Sequence, residues 1–200
     1  MTILYEYNNK LYVNLTNKCP CACVFCLRKT REEMDKSGSL WLEREPSYEE
    51  VIAEFAKFDM NRYNEVIFCG FGEPTERIDM VVKVAKYIKD TFNKSVRLNT
   101  NGQGSLVNGK DIAPMLEGVI DTVSISLNTP DAGKYNELVR SCFGHKAYDG
   151  MIDFTRKVKE YVPNVIMTTV ETTITKEEEE QCQKICDELG VAYRIRPYED

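Results

Sequence analysis

Six times along this 200-residue chain a short apolar or β-branched run is followed by a polar or amphipathic stretch, and that alternation restricts the fold more than any other feature of the sequence. The runs cover residues 11–15, 65–68, 95–98, 122–127, 165–170 and 192–195. Each has the length and composition of a strand. Between them, Ser47-Tyr-Glu-Glu50 has the form of a capping box and opens a helix through about residue 58. Thr75 is expected to cap a helix through about residue 92, with Met80, Val81, Val84 and Ile88 at helical spacing. Residues 111–116 read as a short helix and residues 146–161 as a longer one that stops before Pro163. Thr175-Lys-Glu-Glu178 is a second capping box, and Gly190 supplies a helix stop. Strands alternating with helices argue for a parallel sheet with its helices packed outside. Six such units are too few to close an eight-stranded barrel. The expected architecture is therefore α/β: an open six-stranded (β/α)6 partial TIM barrel, one domain over residues 1–200. Ligands of such sheets bind beyond the carboxyl ends of the strands, so the segments that follow each strand are where chemistry should lie.

After the first run comes Asn17-Lys-Cys19-Pro-Cys-Ala-Cys23-Val-Phe25-Cys26, which contains C-x3-C-x2-C. Three thiolates on one loop suit three corners of a cubane [4Fe–4S] cluster, with the fourth iron open to a small molecule. The competing reading is a zinc knuckle with Cys21 as the fourth ligand. Structural zinc usually takes two separated ligand pairs, and four thiols within eight residues wrap a tetrahedral ion poorly. Eight cysteines in a chain without a signal-peptide pattern read as ligands and free thiols of a reducing compartment, and the expected location is cytoplasmic. No apolar stretch approaches a membrane span. A net charge of −6 without a basic tract gives nucleic acid little attraction.

This loop, with an aromatic residue before its last cysteine, resembles the cluster loop of radical S-adenosylmethionine (SAM) enzymes. Together with the first strand, the segment Gly70-Phe-Gly-Glu-Pro-Thr75 and the short length, it looks most like the TatD-linked subgroup. The resemblance implies that Cys19, Cys23 and Cys26 ligate the cluster, and that Phe25 covers the adenine or the cluster. Gly70, Gly72 and Glu73 resemble the family's Gly-Gly-Glu motif, which binds the SAM amino group; Phe71 stands where many members have glycine. Asn99 and Asn101, in Arg97-Leu-Asn-Thr-Asn-Gly102, are candidate cofactor contacts, although the segment also reads as a plain turn. Ser126 and Asn128 match the polar pair of the fourth strand that contacts the SAM ribose and carboxylate. Arg140 resembles the arginine that pairs with that carboxylate, or is a solvated helix-end arginine. Val170 matches an apolar adenine contact. Arg194 and Arg196 share a strand face, which suggests an anionic substrate group or a solvated edge. Cys142, near the single His145, is a weak catalytic candidate. Cys182 and Cys186, four apart on a helix, read as core side chains.

The implied activity is reductive cleavage of SAM to methionine and a 5′-deoxyadenosyl radical, which takes hydrogen from a substrate that the residues do not identify. The implied partners are an external one-electron reductant, a small-molecule or peptide substrate, and a pathway link to a TatD-like hydrolase. The alternatives are an activase acting on a partner protein and a non-catalytic zinc- or iron-binding module.

Overall fold

The computed structural model describes residues 1–34 and 37–198. Seven strands form one sheet whose spatial order follows the sequence. They are β1 (Leu4–Tyr7), β2 (Lys10–Val13), β3 (Glu65–Phe68), β4 (Ser95–Thr100), β5 (Thr122–Ser126), β6 (Asn164–Val170) and β7 (Ala192–Arg196). Strands β2 to β7 are parallel throughout, and they are the six expected strands. Strand β1 is an addition, antiparallel to β2. Its hairpin turns on Asn8 and Asn9, both at positive φ (49° and 57°), a conformation that asparagine tolerates better than most residues.

The helices are α1 (Tyr48–Glu54), α2 (Ile78–Phe92), α3 (Gly104–Asn108), α4 (Ala132–Val139), α5 (Lys146–Val158) and α6 (Lys176–Leu189). Both capping boxes form as expected, on Ser47 with Glu50 and on Thr175 with Glu178. Gly190 ends α6 at φ 68°, its N–H donating to the carbonyls of Cys186 and Asp187. Thr75 is not a helix cap. A 3-10 turn, Pro74–Arg77, precedes α2, and it is Glu73 whose side chain accepts from Thr75 N. The expected helix at 111–116 is a 3-10 turn over Ala113–Leu116 that contains Pro114. The expected helix at 146–161 closes at Val158. Helices α3 and α4 had no strong periodic signal, being only 5 and 8 residues long.

Alternation along the strands divides the protein into two faces. Leu11, Val13, Val66, Phe68, Val96, Leu98, Val123, Ile125 and Met167 belong to one continuous core with Val81, Val84, Ile88, Met151, Phe154 and Cys186 of the helices. The opposite face carries Tyr5, Tyr12, Ile67, Arg97, Asn99, Ser126, Val170 and Arg196, all of which border one cavity. A second, smaller cluster of Tyr5, Met34, Leu40 and Phe71 packs on that inner side. The curled sheet thus has an apolar outside under its helices and a lumen lined by both polar and apolar side chains. Among the described residues no helix is long and apolar enough to cross a membrane.

Candidate functional site

The cysteine loop leaves the carboxyl end of β2 and is clamped from both sides. On one side it docks on the end of α4. Ala22 N donates to Val139 O (3.1 Å), Val24 N to Leu138 O (2.9 Å) and Cys142 N to Pro20 O (2.8 Å), while Cys21 and Ser141 form a β-bridge. On the other side it meets the loop after β3, where Glu73 N donates to Lys18 O at 2.8 Å. Gly70 and Gly72 make that second contact possible. A Cβ on Gly72 would lie 2.2 Å from Thr16 O and 2.6 Å from Lys18 O, and one on Gly70 would lie 2.1 Å from Asn14 Oδ1. The space the glycines leave is filled by the chain itself, so their immediate task is to seat one loop on the other.

Two cations secure the loop from below. Arg28 Nη2 donates to Cys21 O at 2.9 Å, and Lys29 Nζ to Cys23 O at 2.6 Å. Four thiols crowd this loop and their environments differ. Cys21 is 4% exposed and joins the outer core. Its sulfur accepts from Gln103 Nε2 (3.3 Å) and Asn101 Nδ2 (3.5 Å), and Gln103 is in turn held by Ser141 Oγ and Tyr135. Cys19, Cys23 and Cys26 are only partly buried. The Cys21 thiol, bonded to both neighbours, holds Cys19 and Cys23 below the ordinary thiol range, and burial pushes Cys26 up.

The cavity beside this loop has a volume of about 480 Å³. Cys23, Phe25, Cys26, Gly70, Asn99, Ser126 and Val170 all line it. The structure therefore gathers residues from the ends of β2 to β6 that the sequence singled out separately. Asn99 presents a buried Oδ1 that has no partner among the described residues. Cys19 faces instead an outer, more open cavity with Lys18, Arg28 and Cys142. Cys142 is exposed, as is His145. Cys182 and Cys186 are fully buried in the core, where burial pushes both thiols up to about 12.

Besides Cys19, Gly72 and Cys142, four candidates lie outside the main cavity. Glu73 is 4% exposed, and its carboxylate accepts from Thr75 N, Thr75 Oγ1, Thr100 Oγ1 and Asn101 N at 2.7–3.1 Å. Burial pushes this carboxyl up against the four donors that pull it down. Its bonds tie the β3 loop to the turn after β4. Asn101 reaches the sulfurs of Cys19 and Cys21 rather than the lumen. Asn128 lies past the end of β5 in a left-handed conformation (φ 64°), with its Oδ1 buried and unpartnered among the described residues. Arg140 is the exposed, left-handed C-cap of α4.

Glu73→Gln puts an amide N–H₂ among four donors. The expected cost is about 1–3 kcal/mol of stability. A urea titration checks this, and a titration with SAM shows whether affinity falls with it; unchanged stability and affinity would remove Glu73 from the framework.

Several other lining residues carry no motif of their own. Tyr5, Tyr7 and Lys10 come from the uncalled hairpin, and Met34 and Leu40 from the long segment before α1. The hairpin had a signal in Asn8-Asn9 between two short aromatic-rich runs. Phe71, where a glycine is common, is 8% exposed and packs edge-on to Trp41 at 5.1 Å, closing the wall between loop and lumen.

The donor set fits an iron–sulfur cluster. Three partly accessible thiols share one loop, two of them open on the cavity, and Arg28 and Lys29 stand beside them to offset anionic charge. Asn101 supplies an N–H toward sulfur at 3.9 Å, the type of contact that tunes such centres. Among the described residues no three His, Cys, Asp or Glu side chains converge closely enough to hold a single metal ion.

The sequence matches the family model described as "Radical SAM superfamily" over residues 13–189. It is 30% identical over 159 residues to a GTP 3′,8-cyclase of Lactiplantibacillus plantarum, covering 76% of this chain and 44% of that one. The fold superposes on Streptococcus suis SuiB bound to precursor peptide SuiA with a TM-score of 0.68 at 18% identity, over 94% of this chain and 39% of that one. It superposes on a radical SAM methyltransferase from Sphaerobacter thermophilus with a TM-score of 0.67 at 13% identity, over 97% and 68%. The chain spans less than half the length of the curated relative it matches.

Proposed function

The chain belongs to the radical SAM superfamily, and from that premise we propose that it is a radical SAM enzyme whose main cavity holds both SAM and substrate. The observation that carries the reading is the meeting of Cys23, Phe25 and Cys26 with Gly70, Asn99, Ser126 and Val170 around one space. When bound, a [4Fe–4S] cluster and SAM would supply a 5′-deoxyadenosyl radical able to abstract hydrogen.

The residues have separable tasks in this scheme. Cys19, Cys23 and Cys26 would hold the cluster. Asn99 and Ser126 would orient SAM through hydrogen bonds, and the unpartnered Asn99 Oδ1 is ready to accept one. Phe25 and Val170 would flank the adenine. Glu73 and Asn101 act one layer back, keeping the loops after β2, β3 and β4 in register. Asn128 and Arg140 enter this scheme only if the loop after β5 shifts toward SAM. Tyr5, Met34, Leu40 and Phe71 keep water from the lumen, which a radical reaction requires.

The relative's name specifies GTP and the neighbour's a peptide, so similarity supports hydrogen abstraction without choosing a substrate class. Placement with the TatD-linked proteins, and the pathway link that follows, is supported by the first strand and the Gly70–Thr75 segment. An external one-electron donor would complete the system.

The test is anaerobic reconstitution with iron and sulfide, reduction in the presence of SAM, and chromatography for 5′-deoxyadenosine. Formation well above a protein-free control is expected. Zinc alone, with no sulfide and no cleavage, would replace this reading with a metal-binding module.

A further inference from the structure

The lumen carries a charge that neither the cluster nor SAM explains. The chain as a whole has net charge −6. Yet Lys10, Arg28, Arg97, Arg194 and Arg196 all line the cavity, and among its described lining residues there is no aspartate or glutamate. Arg28 is accounted for by the cysteine loop. The other four come from β2 and β7, towards the two sides of the open sheet, and from β4 at its centre.

Register places these side chains on the inner face. Arg97 pairs with Ile67 across β3 and β4, Arg194 with Thr168 and Arg196 with Val170 across β6 and β7. Arg97 is anchored by Glu65, its Nε 3.1 Å from the carboxylate. That pair neutralises one guanidinium. Among the described residues no carboxylate comes within ion-pair distance of Arg194. Burial, and then the charge of Arg97, push the Arg194 guanidinium below its ordinary value, while Glu65 and Tyr12 pull the other way. Tyr5, Tyr7 and Tyr12 of the hairpin line the same cavity as Arg194 and Arg196 of β7, so the sheet curls until its two sides face one another across the lumen. Arg97 and Arg194 line one cavity, and Glu65 pairs with Arg97 alone among the described residues, which leaves a surplus that an incoming anion would relieve.

We propose that the lumen binds an anionic group of the substrate, a phosphate or a carboxylate, between Arg97, Arg194 and Arg196. Guanidinium groups suit this task, since their planar forks match either oxyanion in paired hydrogen bonds. The tyrosines of the hairpin flank the same space, with Tyr5 and Tyr12 stacked at 5.0 Å, and offer a flat face to whatever carries the anion. The inference rests on the reading that this cavity is the active site, and it deepens that reading by naming what the substrate must carry.

The test is isothermal titration of the reconstituted, SAM-loaded protein with inorganic pyrophosphate and, separately, with succinate, at fixed ionic strength. Saturable binding of at least one anion is expected, and the tighter of the two names the chemistry. Arg194→Gln breaks no ion pair among the described residues and should weaken that binding at least about 10-fold, equivalent to about 1.4 kcal/mol. Arg156→Gln, on the exposed face of α5, should leave it unchanged. Three results would overturn the proposal: no saturable binding of either anion, equal binding by the Arg194→Gln and unchanged proteins, or binding to SAM-free protein that SAM abolishes. The last would mean that the arginines serve the carboxylate of SAM itself. Loss of 5′-deoxyadenosine formation with pyrophosphate binding intact would remove the radical reading and leave the anion site standing.

Discussion

Replacing Cys19, Cys23 and Cys26 together by alanine abolishes cluster assembly, so that reconstituted iron falls from about four per chain to background and 5′-deoxyadenosine disappears. The fold itself should survive. The three thiols are partly buried, Cys19 and Cys23 packing only against the border of the core, while Cys21, which packs within it, is left in place. Far-ultraviolet circular dichroism and the urea midpoint should therefore shift little. Cys21→Ala is the informative contrast. In a zinc knuckle that uses four thiols, its loss would strip the metal as completely as the triple change. In this structure its sulfur is buried, held by Gln103 and Asn101, and Cys21 does not line the cavity, so iron should be retained. Stoichiometric iron in the triple variant, or equal metal loss from Cys21→Ala, would sink the assignment.

Gly72→Ala should be the most damaging single methyl in the molecule. Its Cβ would meet two backbone carbonyls, of Thr16 and Lys18, at 2.2 and 2.6 Å. No rotamer can relieve contacts between backbone atoms. The two loops would have to part, and the bond from Glu73 N to Lys18 O would go with them. A loss of about 3 kcal/mol is expected from overpacking and the broken bond together, with poor iron loading as the visible consequence. Gly118→Ala is the comparison. Unlike Gly72 it sits at a positive φ (69°), but the space around its Cβ is open, so its cost should be about 1 kcal/mol from backbone strain alone. If urea titrations place the two variants together, the close approach of the loops is not what makes Gly72 necessary.

The parallel strands were legible because each carries its own β-branched run and each long helix its own cap. The two capping boxes and Gly190 are purely local chemistry, and they behave as their residues require. What could not be read depends on partners distant in sequence. Thr75 has the composition of a cap, but Glu73 is the cap, accepting from the N–H of Thr75 itself, and the Thr75 hydroxyl donates to that same carboxylate. The glycines after β3 are legible as glycines. That their space is filled by Asn14, Thr16 and Lys18 is tertiary information, 54–56 residues away in the chain. Glu73 shows the same limit. Its motif marks it as important, yet its four hydrogen bonds come from two loops and make it a brace. Helix α4 escaped notice at 8 residues, although its end carries the cysteine loop.

The spatial order of the strands also has a consequence for how the protein is made. Because every strand pairs only with its neighbours in sequence, the sheet can grow outward from the hairpin in the order in which the ribosome delivers it. The cysteine loop and its clamp on α4 lie within the first 142 residues, so they can be in place before the final strand exists. Arg194 and Arg196 arrive after the six other described strands, on β7, which adds the far wall of the lumen. A nascent chain arrested just before β7 would hold the machinery for making a radical while still lacking the residues proposed to select its target.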